Sequence, residues 1–267
     1  MTNNVASINP EFHAEHRRLL SRFEILLGKK LTGTGEKGPL RESLEYAHYL
    51  FYKRRLDECS VELSRLGLFL EELEMIKAHN ALMFSKLIKP LRNQSGAQYY
   101  GARMELEIAH KLIHDRVCFR SREAPDFSIS WVDEEVYIEC TSAHMEKKPD
   151  CDLTYKISNA ISGKGNKHYA NARTVVSLDV TNLMHHHQQP GEATFNDWEK
   201  AVQPALEATL LGGVLIFFFM YEPASARIGS VYRRFDHPMI DPLLRSFLDT
   251  WFPFGNLKAR SVFPEAP

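Results

Sequence analysis

Apolar residues recur at three-and-four spacing along most of the first ninety positions, the signature of helices that turn one face to a core. From about residue 11 to residue 91 this pattern is continuous, and Gly35-Glu36-Lys37-Gly38-Pro39 is its only strong break, so two helical blocks are predicted. In the second block Leu44, Ala47, Leu50, Phe51, Leu63, Leu66, Leu70 and Leu73 supply the apolar stripe, with a bend expected over 57–60. Pro90 and the polar stretch 92–96 close it.

The texture then changes. Residues 98–114 keep helical spacing, with Met104, Ile108 and Leu112 on one side. Three short β-type runs follow at 117–120, 127–131 and 135–141, the last two separated by Val132-Asp133-Glu134 as a tight turn. Residues 152–161 read as helix and 174–180 as a buried strand. Beyond them Asn196 or Asp197 can cap a helix running toward Leu211, interrupted by Pro204 and ended by Gly212-Gly213. Residues 214–221 read as a central strand, 227–235 as its exposed partner and 242–251 as a last helix. The expected fold class is α/β. Residues 1–94 form a mostly helical N-terminal region, and 95–267 an α/β domain with its core over about 97–182 and a sheet-and-helix extension over 183–267.

Bulk properties narrow the class without naming a function. Of 267 residues 44% are hydrophobic and 25% charged, the composition of a folded globular protein. A net charge of -1 leaves no overall basic excess, so any nucleic-acid surface has to come from local groups of Lys and Arg. The polar N-terminal stretch lacks the apolar segment of a secretory signal. The strongest apolar run, 214–221, is far below the roughly 20 residues a membrane helix needs. Cys59, Cys118, Cys140 and Cys151 are irregularly spaced, as expected of reduced thiols. A cytoplasmic protein without membrane contact is the expectation.

Candidate chemistry concentrates in PDFSISWVDEEVYIECTS, residues 125–142. Strand alternation puts Tyr137, Glu139 and Thr141 on one face and Val136, Ile138 and Cys140 on the other, so Glu139 lies in a strand otherwise suited to burial. Buried carboxylates need partners, and Asp126 opens the preceding strand of the same hairpin. Two such groups at one end of a hairpin suit a hard divalent ion, which takes one or two protein carboxylates and fills its other positions with water and phosphate.

With these residues in this order the segment resembles the PD-(D/E)XK nuclease superfamily, whose restriction-endonuclease-like core runs helix, three strands, helix, strand. There Pro-Asp opens the second strand and Glu-x-Lys lies on the third; here the matching residues are Pro125-Asp126 and Glu139-Cys140-Thr141. The resemblance covers about a third of the chain. It implies a metal-dependent nuclease acting on DNA, with Mg²⁺ or Mn²⁺ held by Asp126 and Glu139. It also implies an auxiliary glutamate on the first helix, for which Glu105 is the match and Glu107 the second choice. Thr141 stands where the motif has lysine and cannot supply its charge. Some members carry that lysine on the following helix, where Lys156, Lys164 and Lys167 are candidates; Lys164, at helical spacing from Ile157 and Ile161, is the preferred one.

Plainer readings compete. Glu139 can pair with Arg116 or Arg120, Asp126 can cap a turn, and Glu105 can be solvated. Asp179 can cap a strand end or support the site from behind. Cys140, His144 and Cys151 fit no familiar zinc spacing, and the tract from His185 to His187 suits a solvated loop. Lys53-Arg54-Arg55 and Arg233-Arg234 are small basic clusters able to meet phosphate, with a solvated face as the default. The N-terminal helices serve as core or as a homodimerisation arm. A nuclease-like fold without catalysis, acting as a binding or assembly module, is the alternative to the enzyme.

Overall fold

The computed structural model describes residues 5–32, 38–93, 96–144, 153–186, 196–222, 227–254 and 260–261. The elements in chain order are α1 (Val5–Leu27), α2 (Pro39–Tyr52), α3 (Leu56–His79), α4 (Ala81–Asn93), α5 (Gly96–His114), β1 (Phe119–Ser121), β2 (Phe127–Trp131), β3 (Glu134–Ser142), α6 (Leu153–Gly165), β4 (Thr174–Asp179), α7 (Thr181–His186), α8 (Asn196–Glu207), β5 (Gly213–Glu222), β6 (Arg227–Asp236), α9 (Pro242–Trp251) and β7 (Arg260–Ser261). The chain divides into two compact units: residues 1–99 with 221–228 and 260–267, and residues 100–220 with 229–259.

Among the described residues the first unit is mainly helical, with the last two residues of β5 and the pairing of β7 with the first two residues of β6 as its strand parts. Leu19, Phe23 and Leu27 of α1, Leu44 and Leu50 of α2, Phe69 and Leu73 of α3 and Ile88 of α4 are all buried, and the Phe23 and Phe69 rings lie 6.0 Å apart. Two helical blocks were expected over 11–91; four helices are present. The bend expected over 57–60 falls at 53–55. There Arg54 adopts φ 59 and the Arg55 amide donates to the Leu50 carbonyl at 3.0 Å, a helix-terminating turn that usually takes glycine at the left-handed position. A further break sits at Asn80, whose extended backbone ends α3 and whose Oδ1 accepts from the Met83 amide at 3.0 Å to start α4. Pro90 lies inside α4.

The second unit is built on an open mixed sheet in which β1 to β6 follow one another in chain order. β1, β2 and β3 are antiparallel neighbours, whereas β3, β4 and β5 run parallel. The turn between β2 and β3 is tight because Val132 and Asp133 both adopt positive φ, 48 and 65. Val176, Leu178, Val214, Ile216 and Phe218 face a core layer containing Ile157 and Ile161 of α6 and Val202 and Leu206 of α8. Alternate strand residues serve the opposite face, where Trp131 meets Phe247 of α9 at 5.7 Å and Phe217 meets Phe252 at 6.5 Å. Lys111 of α5 lies 4.8 Å over the Phe252 ring, so α5 attends that same face. β4 is buried along five of its six residues, as a strand covered on both sides should be.

Three expectations are corrected. β6 is not exposed throughout: Val231 and Arg234 are buried, and Arg234 donates to Asp236 and Asp249, so it is a structural cation. The helix begun at Asn196 ends at Glu207, short of Leu211. Gly212 is required by close approach, since a Cβ there would stand 2.2 Å from the Ala172 carbonyl oxygen and 2.5 Å from Leu244 Cδ2. His185 and His186 belong to α7, while His187 and Cys151 lie outside the described residues. Among the described residues no helix is long and apolar enough to cross a membrane.

Candidate active site

The β2–β3 ladder ends with Phe127 opposite Ile138. One step further out Asp126 stands level with Glu139, and its side chain continues the pairing: the Cys140 amide donates to Asp126 Oδ2 at 2.6 Å. Asp126 is thereby tied to β3 at the position next to Glu139. Pro125, joined to Ala124 by a cis peptide, precedes it.

Glu139 is in register with Val176 of β4. Paired residues of parallel strands share a face, so Glu139 points to the layer occupied by α6, and Cys140, level with Ser177, points away. The Glu139 residue is 4% exposed in a strand whose neighbours Tyr137 and Thr141 are only half-buried. A carboxylate so placed needs a cation. Lys164, in the last turn of α6, provides it, with Nζ 2.5 Å from Glu139 Oε1 across 25 positions of sequence.

Local sequence explains why Lys164 arrives there. Ile157 and Ile161 bury the core face of α6 and set its rotation. Gly165 lets the helix end approach Thr209, whose Cγ2 would lie 2.3 Å from any Cβ at that position. The glycine is a packing requirement that holds the last turn in place. Of the three lysines considered, Lys156 Nζ donates instead to the His144 carbonyl at 3.2 Å, and Lys167 lies in the turn after α6. Neither Arg116 nor Arg120 takes the role of partner to Glu139.

Glu105 of α5 is linked to the group through its charge. Its carboxyl is pushed up to about 7, first by burial and then by the negative charge of Glu139, against the pull of Lys164. Asp126 is pushed up to about 8 by burial and by Glu105 and Glu139, with the Cys140 amide and Lys164 opposing. Glu105 and Asp126 thus each feel the charges of Glu139 and Lys164. Tyr169, in the turn after α6, has no mark in the sequence; burial raises its phenol first, and its hydrogen bond to the Glu139 carboxylate adds to the rise. No periodic or motif signal marks that turn residue.

The second choice, Glu107, faces elsewhere. Burial raises its carboxyl to about 7, and it bonds Ser230 near Asp179 and Arg103. Asp179 Oδ1 accepts from the Thr181 amide at 2.8 Å, so it caps the start of α7.

Among the described residues no three His, Cys, Asp or Glu side chains form a ready-made metal cage. The donors at Glu139 are nevertheless of the kind a hard divalent ion takes: Glu139 is buried beside Tyr169, which hydrogen-bonds to it, and Glu105 and Asp126 lie within reach of its charge. Such an ion needs no more than one or two protein carboxylates. Asp126 and Glu139, with Glu105 beside them, are the residues able to hold it. Comparison of the chain with protein-family models, curated proteins and solved structures gives no match.

Proposed function

We propose that the chain is a metal-dependent nuclease that hydrolyses phosphodiester bonds in DNA, with a restriction-endonuclease-like core formed by α5, β1, β2, β3, α6 and β4. The observation that carries this reading is Glu139: a buried strand carboxylate bound on one oxygen by Lys164, with Tyr169 hydrogen-bonding to the carboxylate and with Asp126 and Glu105 within reach of its charge. Three acids around one ammonium are more than the lysine can neutralise, and burial makes two of them hold protons up to about pH 7 and 8, which a bound cation would displace. The order of elements, with an antiparallel hairpin followed by a parallel crossover through α6, supports the same assignment.

In this reading Asp126 and Glu139 hold Mg²⁺ or Mn²⁺, which when bound polarises the scissile phosphate and offsets charge on the leaving oxygen. Lys164 replaces the motif lysine missing at Thr141. An ammonium has three donors, and one is committed to Glu139, so two remain to orient an attacking water and meet the charge developing on the phosphate. Glu105, with its carboxyl raised to about 7, can accept a proton from that water near neutral pH.

Cleavage of plasmid and linear DNA in Mg²⁺ or Mn²⁺ by wild type and Glu139→Ala tests the proposal. Loss of activity by several orders of magnitude is expected, and equal cleavage by both proteins removes Glu139 from the mechanism. The ion pair to Lys164 also supports a second reading, in which Lys164 neutralises Glu139 as a structural pair inside a non-catalytic binding module. Calorimetry separates the two, because the structural pair takes up no Mn²⁺ at Asp126 and Glu139.

A further inference from the structure

The core does not account for the outer face of α2. Leu40, Leu44, Ala47 and Leu50 form the buried stripe of that helix at spacings of four, three and three. Opposite them stand Tyr46, Tyr49 and Tyr52, which remain 46%, 50% and 65% exposed. Tyrosine is a poorer helix former than the Glu, Lys or Gln that usually occupies a solvated face, so helix formation does not explain three of them in one short element. The Tyr46 and Tyr49 rings are near parallel, 16° apart in plane with centroids 6.2 Å apart. Tyr52 meets the edge of His48 at 4.8 Å.

The charges beside these rings are arranged unevenly. Lys53 Nζ lies 5.7 Å over the Tyr49 ring. Arg54, exposed and in the left-handed conformation, turns the chain so that Lys53, Arg54 and Arg55 crowd the end of the helix next to Tyr52 and Tyr49. Of the nearby carboxylates, Glu45 and Glu58 are taken by Arg41 and Arg55, while Asp57 lies in the first turn of α3 just past the corner. Glu42 belongs to the first turn, at the other end of the tyrosine row. Exposed aromatic faces leading to a cationic corner are what an unpaired strand requires: rings for bases to stack on, and cations for the phosphates between them.

We propose that Tyr46, Tyr49 and Tyr52 with Lys53 and Arg54 form a docking surface for single-stranded nucleic acid. The choice of ligand rests on the nuclease reading above; the surface itself lies on the helical unit and needs none of the acidic residues. It gives the Lys53-Arg54-Arg55 cluster a role that a solvated face does not.

The test is fluorescence anisotropy of a labelled oligothymidylate against the full-length chain in EDTA, where hydrolysis cannot interfere, with a duplex of equal length as comparison. Each Tyr→Ala change is expected to weaken single-strand binding by about 5- to 150-fold. Tyr→Phe at the same positions, which keeps the ring, restores most of it. Lys53→Gln with Arg54→Gln is expected to lower the slope of log affinity against log salt by about 1.4, two contacts at about 0.7 each. Unchanged binding by the triple alanine variant overturns the proposal, as does tighter binding of the duplex. Light scattering that finds a wild-type dimer and a monomeric triple variant also overturns it, since the tyrosines would then serve a second copy. Because the assay contains no divalent ion, failure of Glu139→Ala to abolish cleavage sinks the nuclease reading without touching this result.

Discussion

Lys164 and Glu139 are bonded across the space between α6 and β3, one at a helix end beside two glycines and the other in a strand core. Removing one member of such a pair leaves the other buried and uncompensated. Lys164→Met is therefore expected to destabilise the fold by about 2 kcal/mol, below the roughly 3–5 kcal/mol of a fully buried pair because the lysine side chain is a quarter exposed. Pairing it with Glu139→Gln should recover much of that loss. Denaturant titration of the two single variants and the double variant measures the coupling, and strictly additive losses would mean that the contact contributes nothing. Any cleavage activity should vanish in Lys164→Met, because Thr141 offers no charge in its place.

The acids at this site link stability to pH. Glu105 and Asp126 bind protons more tightly in the folded chain, at about 7 and about 8, than in the unfolded chain at about 4. Between these values the folded state holds more protons, so stability falls as pH rises. The contribution is complete below about pH 4 and is lost as pH climbs through about 7 to 8. Metal-free protein should accordingly show a lower thermal midpoint at pH 8.5 than at pH 6, a flatter profile in Asp126→Asn, and a midpoint restored by Mn²⁺ at the higher pH, with wild type kept in EDTA as control. An identical profile for wild type and Asp126→Asn would show that this carboxyl is not the titrating group.

How much of this was legible depends on whether the governing signal was local. The hairpin was, since alternating apolar residues and a short polar interruption fix β2, its turn and β3 to within a residue. So was α9, because Asp241-Pro242 caps and starts it, with Asp241 Oδ1 accepting from the Leu243 amide at 2.8 Å. Lys164 was reachable through its spacing from Ile157 and Ile161. The break between α2 and α3 was misplaced because Arg54 occupies a left-handed position that composition normally marks with glycine. Arg234 was read as surface charge because its acceptors, Asp236 and Asp249, converge only once α9 packs on the sheet. Tyr169 was missed because its turn has no period to read.

The arginines that end helices make a prediction of their own. Arg54 and Arg116 both adopt φ 59, each followed by a residue whose amide reaches back five positions, Arg55 to Leu50 and Val117 to Leu112. Left-handed backbone costs a residue with a Cβ about 1 kcal/mol relative to glycine. Arg116→Gly should therefore raise stability by a few tenths to about 1 kcal/mol, net of the extra freedom glycine gains in the unfolded chain. Thermal melts decide it, and a drop in midpoint would indicate that the Arg116 side chain contributes more than its backbone costs.

Gly212 offers the opposite case, in which the missing side chain is itself structural. It follows Leu211, and its amide donates to the Thr174 carbonyl at 2.9 Å while its own carbonyl accepts from the His237 amide at 2.9 Å. Both bonds are made in the slot beside Ala172 and Leu244. An added methyl would meet the Ala172 carbonyl oxygen at 2.2 Å, and that carbonyl, which accepts from the Asp241 amide at 3.1 Å, cannot withdraw as a flexible side chain can. Gly212→Ala is expected to cost more than about 2 kcal/mol, within the range of overpacking in a tight interior. Gly163→Ala, where a Cβ meets nothing within 4 Å, should be neutral or slightly stabilising in its helix. Denaturant melts of the two variants side by side check both expectations, and a Gly212→Ala protein as stable as Gly163→Ala would contradict the close approach between β5 and the start of α9.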